Sequence, residues 1–249
     1  MPCSGSGSAS LAAPLLLLAM VQIAGRVLGW PSLSARLLPP REGRAPHLAW
    51  ALRLWPAFGL PALAALLLLG RGGAIGTMPP EFAAVARWTR GFGTVEPWSV
   101  MLGLALGSVG GALFAWRRLR RGRGPAHLGR PPRLPRAPRE LPAAALLALS
   151  AGVAEELYFR LALPLLVTLV SGSAALGFLA AAAAFAALHR YQGAVGIAAT
   201  GVGALLLTAI YLASGSLWLA ILCHLAIDLN GLVVRPWLAM RVRPSRGRM

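Results

Sequence analysis

Long apolar runs separated by short polar links dominate the chain. The runs that approach the roughly 20 residues needed to cross a bilayer as a helix lie at 10–29, 48–70, 97–116, 142–170, 173–190, 193–212 and 216–234. The fourth run is long and contains Pro164, so we expect its helix to kink or to extend beyond the membrane. The pattern predicts an all-α protein, a polytopic transmembrane bundle of about seven spans.

The composition supports this class. Of the 249 residues 57% are hydrophobic and only 12% are charged, and the mean hydropathy is +0.67, whereas soluble domains carry about 25% charged residues. We therefore expect an integral protein of the cell membrane that retains the run at 10–29 as its first span. Cys3 and Cys223 are too few for a disulfide framework.

The arginines indicate topology. A formal charge of +17 is compatible with nucleic-acid binding, but the arginines cluster in short links between apolar runs and do not cover a soluble face. We therefore expect the lipid bilayer, and no nucleic acid, as a partner. Basic loops remain in the cytoplasm, and the link from Arg117 to Arg139 holds nine arginines. Alternating crossings from this link place the N-terminus outside and the C-terminus inside.

The same link divides the chain. Residues 1–140 comprise three spans and the Arg/Pro-rich cytoplasmic link, residues 141–235 comprise four spans, and residues 236–249 form a basic cytoplasmic tail. The acidic residues within apolar runs, Glu155, Glu156 and Asp228, all lie in the second group. Since a charge at mid-bilayer costs on the order of 3 kcal/mol, their presence there indicates function.

Helix geometry separates the two adjacent glutamates. Glu156 and Arg160 are four residues apart and share a face, so they can form an ion pair within one helix. Glu155 points about 100° away from Glu156 and has no partner on its own helix. The unpaired Glu155 is therefore the better candidate for a catalytic base, and Glu156 with Arg160 is a candidate for structural support.

Three further polar residues lie on the later spans. His224 and Asp228 are four residues apart and point in one direction, and His189 ends the run at 173–190. Three helices can thus direct Glu155, His189 and the His224/Asp228 pair towards one point. We expect these four residues to line a wet pocket that opens to the cytosolic side.

The order of these motifs is similar to that of a known family. Glu155–Arg160 reads EExxxR, Phe185–His189 reads FxxxH and His224–Asp228 reads HxxxD. Together they resemble the CPBP (Abi) family of intramembrane proteases, which includes the type II CAAX prenyl proteases and bacteriocin-processing proteins. The resemblance covers about residues 141–235, and the first 140 residues carry none of its motifs.

The resemblance implies an enzyme, a membrane endopeptidase that hydrolyses a membrane-associated or C-terminal CAAX-like peptide. In that family the residue matching Glu155 activates a water molecule, and the residue matching His189 assists it. The pair matching His224 and Asp228 binds the oxyanion that develops in the transition state. The expected partner is thus a peptide or protein substrate at the membrane.

Asp228 departs from the family pattern, in which this position is often Asn. An ionised Asp228 would repel an oxyanion, so either it is protonated or it orients His224 through the second ring nitrogen. Asn230 is a possible donor but lies off the His224 face. No cofactor is favoured. Zinc is an alternative, with Glu155, His189, His224 and Asp228 as ligands, although the sequence contains no HExxH motif.

Two other functions are compatible with the pattern. Buried carboxylates and histidines also form proton relays, as in a proton-coupled transporter. A transporter would more often show paired repeats or broken helices in two halves, whereas the buried charges here lie in one half. The second alternative is an inactive membrane scaffold that kept the fold.

Overall fold

The computed structural model describes residues 5–28, 46–123, 129 and 133–242, and within these residues all regular elements are helical. The α-helices are α1 Gly5–Val27, α2 Pro46–Leu54, α3 Leu60–Leu68, α4 Ala83–Arg90, α5 Pro97–Arg120, α6 Leu141–Glu156, α7 Leu163–Ser171, α8 Ala174–Leu188, α9 Gly193–Ser214, α10 Leu217–Leu229 and α11 Arg235–Val242. The predicted all-α class is confirmed.

Five helices in the described part of the chain are long and apolar enough to cross a membrane. They are Ser10–Val27, Pro46–Leu68, Pro97–Arg120, Arg190–Ser214 and Leu217–Val242, and each overlaps one of the predicted runs. Of the two other runs, 142–170 forms α6 and α7, and 173–190 forms α8. At about 1.5 Å per residue, the 15 residues of α8 are short for the roughly 30 Å of a hydrocarbon core. The number of crossings and the orientation of the termini stay predictions.

Several basic segments that the predicted orientation places in the cytoplasm lie outside the described part of the chain. These are residues 30–45 with Arg36, Arg41 and Arg44, parts of the arginine link at 124–128 and 130–132, and the tail at 243–249.

Prolines account for the irregular turns inside the long helices. The π-helical segments are Trp55–Gly59, Leu157–Ala162 and Asn230–Val234. Each segment ends two residues before a proline: Pro61, Pro164 and Pro236, respectively. Proline donates no N–H and its ring clashes with the carbonyl four residues earlier, and a wider turn relieves that clash. The disturbance expected at Pro164 therefore takes the form of a π-helical segment within a helix that continues from Leu141 to Ser171.

Two tight turns share the sequence Ser-Gly-Ser, at 171–173 and 214–216. Gly172 and Gly215 are left-handed, with φ of 75° and 72°, and end α7 and α9. The second serine caps the next helix: Ser173 Oγ accepts from the Leu176 amide and Ser216 Oγ from the Leu219 amide, each at 3.3 Å. These turns join α7 to α8 and α9 to α10 as close neighbours.

Helix α6 lies at the centre of the packing, where it contacts α2 and α10, while α1 packs on α7. More than half of α6 is buried, as is all of the following π-helical segment. Helix α5 lies at the periphery, since only 6% of the Pro97–Arg120 span is buried. Its exposed side chains are apolar, for example Leu106 and Phe114, which suits contact with lipid.

Candidate active site

A glycine brings the two helices of the site together. A Cβ atom added at Gly152 on α6 would lie 3.4 Å from the Cβ and amide nitrogen of Leu225 on α10. Small residues of this kind allow helix backbones to approach closely. This contact positions Glu155 and Glu156, which lie one turn further along α6, against His224.

Glu156 binds one nitrogen of the His224 ring. Its Oε1 accepts a hydrogen bond from His224 Nδ1 at 2.6 Å, and the Glu156 side chain is fully buried. Its Oε2 lies 3.0 Å from Arg160 Nε, but this contact is an ion pair without hydrogen-bond geometry. The ion pair follows from the i,i+4 spacing. The bond to His224 joins residues 68 positions apart and has no signal in the local sequence.

Glu155 and Asp228 approach the other nitrogen of the same ring. Glu155 Oε2 lies 3.8 Å and Asp228 Oδ2 3.6 Å from His224 Nε2, which is too long for hydrogen bonds. Asp228 therefore does not orient His224 through Nδ1, because Glu156 already binds that nitrogen. The gap between Glu155 and His224 leaves Nε2 accessible to a reacting group.

His189 reaches the site by a different route. Its Nδ1 bonds the Phe185 carbonyl at 2.8 Å, so Nδ1 donates and Nε2 is left as an acceptor. The Phe185 ring lies 4.6 Å from the His189 ring and 6.1 Å from the His224 ring, centroid to centroid. Among the described residues no carboxylate lies within 4.0 Å of His189. His189 therefore flanks the cluster without joining it.

All four candidate residues line one cavity of about 990 Å³, the size of a typical ligand site. Its apolar walls come from α2, α5, α6 and α10 and include Trp50, Leu54, Leu104, Phe114 and Leu147. The structure thus places Glu155 and Asp228 each within 4 Å of the His224 ring, and it places His189 on the wall of the same cavity.

Asn230 has a different environment. Its Nδ2 donates to the Ser108 carbonyl at 3.1 Å, and its Oδ1 accepts from Arg235 Nε at 2.9 Å. Asn230 therefore ties α5 to the end of α10, and its amide group is already engaged.

The described residues show no preformed zinc site. Within the described residues no group of three or more His, Cys, Asp or Glu side chains is placed to hold a metal ion. Zinc ligands lie about 2.0–2.3 Å from the ion, whereas no described carboxylate lies within 4.0 Å of His189. That no cofactor takes part stays a prediction.

Comparison with known proteins supports the motif assignment. Residues 137–230 match the model of the family described as Type II CAAX prenyl endopeptidase Rce1-like. The matched segment includes all three motifs, from Glu155 to Asp228, and the family resemblance is confirmed. No curated protein and no solved structure gave a match.

Proposed function

We propose that this protein, whose residues 137–230 match the type II CAAX prenyl endopeptidase family, is a membrane endopeptidase acting on a membrane-associated or C-terminal CAAX-like peptide. The observation that supports it best is the 3.8 Å separation between Glu155 Oε2 and His224 Nε2 on the wall of a cavity of about 990 Å³. A water molecule and a peptide carbonyl can meet between a carboxylate and an imidazole at such a site.

Glu155 is the proposed general base. Unlike Glu156, it has no arginine or hydrogen-bonded imidazole among its described contacts, so its oxygens are available to a water molecule. Glu155 takes a proton from the water as the water oxygen bonds to the peptide carbonyl carbon. When the C–N bond breaks, the proton passes to the leaving amine. His189 assists through Nε2, which its bond to Phe185 leaves as an acceptor.

His224 is the proposed oxyanion donor. With Nδ1–H donated to Glu156, the His224 ring carries a second hydrogen on Nε2 only as the imidazolium, whose charge the Glu156 carboxylate stabilises. The Nε2–H then points towards the space between Glu155 and Asp228, where the carbonyl oxygen would acquire charge. Glu156 and Arg160 are positioning residues: Glu156 holds the ring by its hydrogen bond of 2.6 Å, Arg160 pairs with Glu156 at 3.0 Å, and both are buried. Asp228 in its neutral form would donate a second hydrogen bond to the same oxyanion.

The walls of the cavity suit a lipid-modified substrate. A CAAX peptide carries a farnesyl or geranylgeranyl group on its cysteine, and the apolar side chains of the peripheral helix α5 form one side of the cavity. The distribution of arginines among the links supports a site that opens to the cytosolic side.

The variant E155Q tests this function, with E140Q as the matched control. Both changes convert a carboxylate to an amide on or next to α6, and Glu140 lies at the opposite end of that helix, where it accepts from the Arg136 amide. In proteoliposomes, release of the C-terminal tripeptide from an S-farnesyl CAAX peptide should fall more than about a hundredfold in E155Q and remain normal in E140Q.

Unchanged release by a folded E155Q protein would refute the assignment. The same assay addresses the metal. Release should persist after treatment with a chelator, and elemental analysis should find no stoichiometric zinc. A stoichiometric zinc whose removal abolishes release would replace glutamate activation by zinc chemistry.

A further inference from the structure

A second, smaller cavity lies beside Glu155 on the side of α1. Its volume is about 70 Å³, room for several water molecules or for a carboxylate group, given that one water molecule needs about 10–15 Å³ of such volume. It shares five wall residues with the larger cavity: Trp50, Leu54, Glu155, His189 and Tyr191. The other walls are apolar except for one cation, Arg26.

Arg26 is held firmly in this position. Its side chain is 8% exposed, its guanidinium lies 4.7 Å from the centroid of the Phe58 ring, and its Nη1 donates to the Ala57 carbonyl at 3.2 Å. That carbonyl is available because Pro61, four residues later, has no N–H to offer it. Gln22, one turn before Arg26, donates to the same oxygen at 2.6 Å.

The end of α1 is also tied to the segment that carries His189. Arg190 Nη2 donates to the Arg26 carbonyl at 3.4 Å. Arg26 is thus fixed to α2 through its side chain and to the catalytic half of the protein through its backbone.

The charge of Arg26 is not neutralised by any described residue. Among the described residues no carboxylate lies within 4.0 Å of it, and its Nε is buried without a hydrogen-bond partner. A buried cation without a counter-ion is costly, so the cavity favours an anion. The planar guanidinium matches the geometry of a carboxylate.

We infer that Arg26 binds the C-terminal carboxylate of the substrate peptide, an inference that rests on the proposed function. Three residues follow the cysteine in a CAAX peptide, and three extended residues span about 10 Å. A cation that binds the terminal carboxylate must therefore lie in a subsite next to the catalytic residues and not among them. In this arrangement the larger cavity holds the lipid-modified cysteine, the scissile bond lies at Glu155 on the shared wall, and the carboxylate lies at Arg26.

Binding measurements on the inactive E155Q protein test the inference without depending on catalysis. The probes are two fluorescent S-farnesyl CAAX peptides that differ only at the C-terminus, one a free acid and the other a carboxamide. The acid should bind E155Q about ten- to a hundredfold more tightly than the amide, the range expected for a hydrogen bond between charged groups.

Three double variants separate charge recognition from structure. R26Q/E155Q should bind both peptides with the affinity of the amide, because only the contact with the terminal anion is removed. R26K/E155Q should retain part of the preference. R87Q/E155Q, which removes an exposed arginine on α4, should retain all of it.

Three results would overturn the inference. The acid and the amide bind E155Q equally, neither peptide binds it, or R26Q/E155Q loses the same affinity for both peptides. Failure of the proposed function has a different signature. In that case the preference for the acid depends on Arg26 as expected, but the wild-type protein releases no tripeptide.

Discussion

Glu155 and Glu156 are neighbours in the chain but have different surroundings. Glu156 is fully buried, bonded to His224 Nδ1 and paired with Arg160. Among the described basic residues, only His224 comes within 4.0 Å of the Glu155 carboxylate, with Nε2 at 3.8 Å. The difference arises because successive helical side chains point about 100° apart while the His224 ring presents one nitrogen to each. A single imidazole thus assigns the two carboxylates to different roles.

Asp228 provides a test of charge at the site. Since Asn offers an N–H donor and carries no charge, D228N should retain at least about half of the wild-type peptide release. D228L has a similar size but no donor, and its peptide release should fall about a hundred- to a thousandfold, the range found for removal of one oxyanion donor. Steady-state release of the tripeptide measures both. If D228N is as defective as D228L, a carboxyl group is required at this position, and the oxyanion role fails.

At the scale of elements, prolines and glycines determine how the helices bend and turn. The carbonyl four residues before each proline lacks its usual donor, and Ala57 shows the consequence, because its oxygen accepts from Gln22 and Arg26 instead. A helix irregularity caused by Pro61 therefore positions a charged side chain of another helix. The two Ser-Gly-Ser turns act similarly, since each ends one helix and caps the next.

The left-handed glycine of the second turn allows a direct stability test. Gly215 has φ of 72° and no neighbour within 4 Å of an added Cβ, so G215A introduces backbone strain without a clash. We expect it to reduce the free energy of unfolding by about 1 kcal/mol, which lowers the Tm by about 2–4 °C. Thermal unfolding in detergent measures the change.

The control for this test is G110A. Gly110 lies in helix α5, also with open space around it, and there alanine should be neutral or stabilising. Equal destabilisation by both variants would show that the Gly215 turn does not require a left-handed residue.

At the scale of the whole molecule, the N-terminal spans contribute to the site. The family match begins at residue 137, but Arg26, Trp50, Leu54, Leu104 and Phe114 come from earlier helices and line the two cavities. Helix α1 packs on α7 and α2 packs on α6. The first three predicted spans thus form walls of the cavities in which the motifs lie.

The predicted orientation can be measured with single cysteines in a C3S/C223A background. Thr77, in the loop after α3, and Arg123, in the arginine link after α5, are both exposed, and α5 separates them. If the arginine link faces the cytoplasm, a membrane-impermeant maleimide should label T77C in intact cells and R123C only after the cells are opened. The reverse pattern would invert the topology and place the site on the outer side.

The sequence by itself determined the helical membrane class, the Glu156–Arg160 pair and the family resemblance, because hydropathy, i,i+4 spacing and motif order are local properties of the chain. It could not determine that Glu156 bonds His224, that Asp228 approaches the same nitrogen as Glu155, or that Arg26 lines a cavity beside Glu155. Each of these arrangements involves residues on separate helices, and the distances between those residues depend on how closely the backbones pack, as at Gly152 and Leu225. Only the tertiary structure decides such distances, since helix packing, and not the spacing of residues along one helix, sets them.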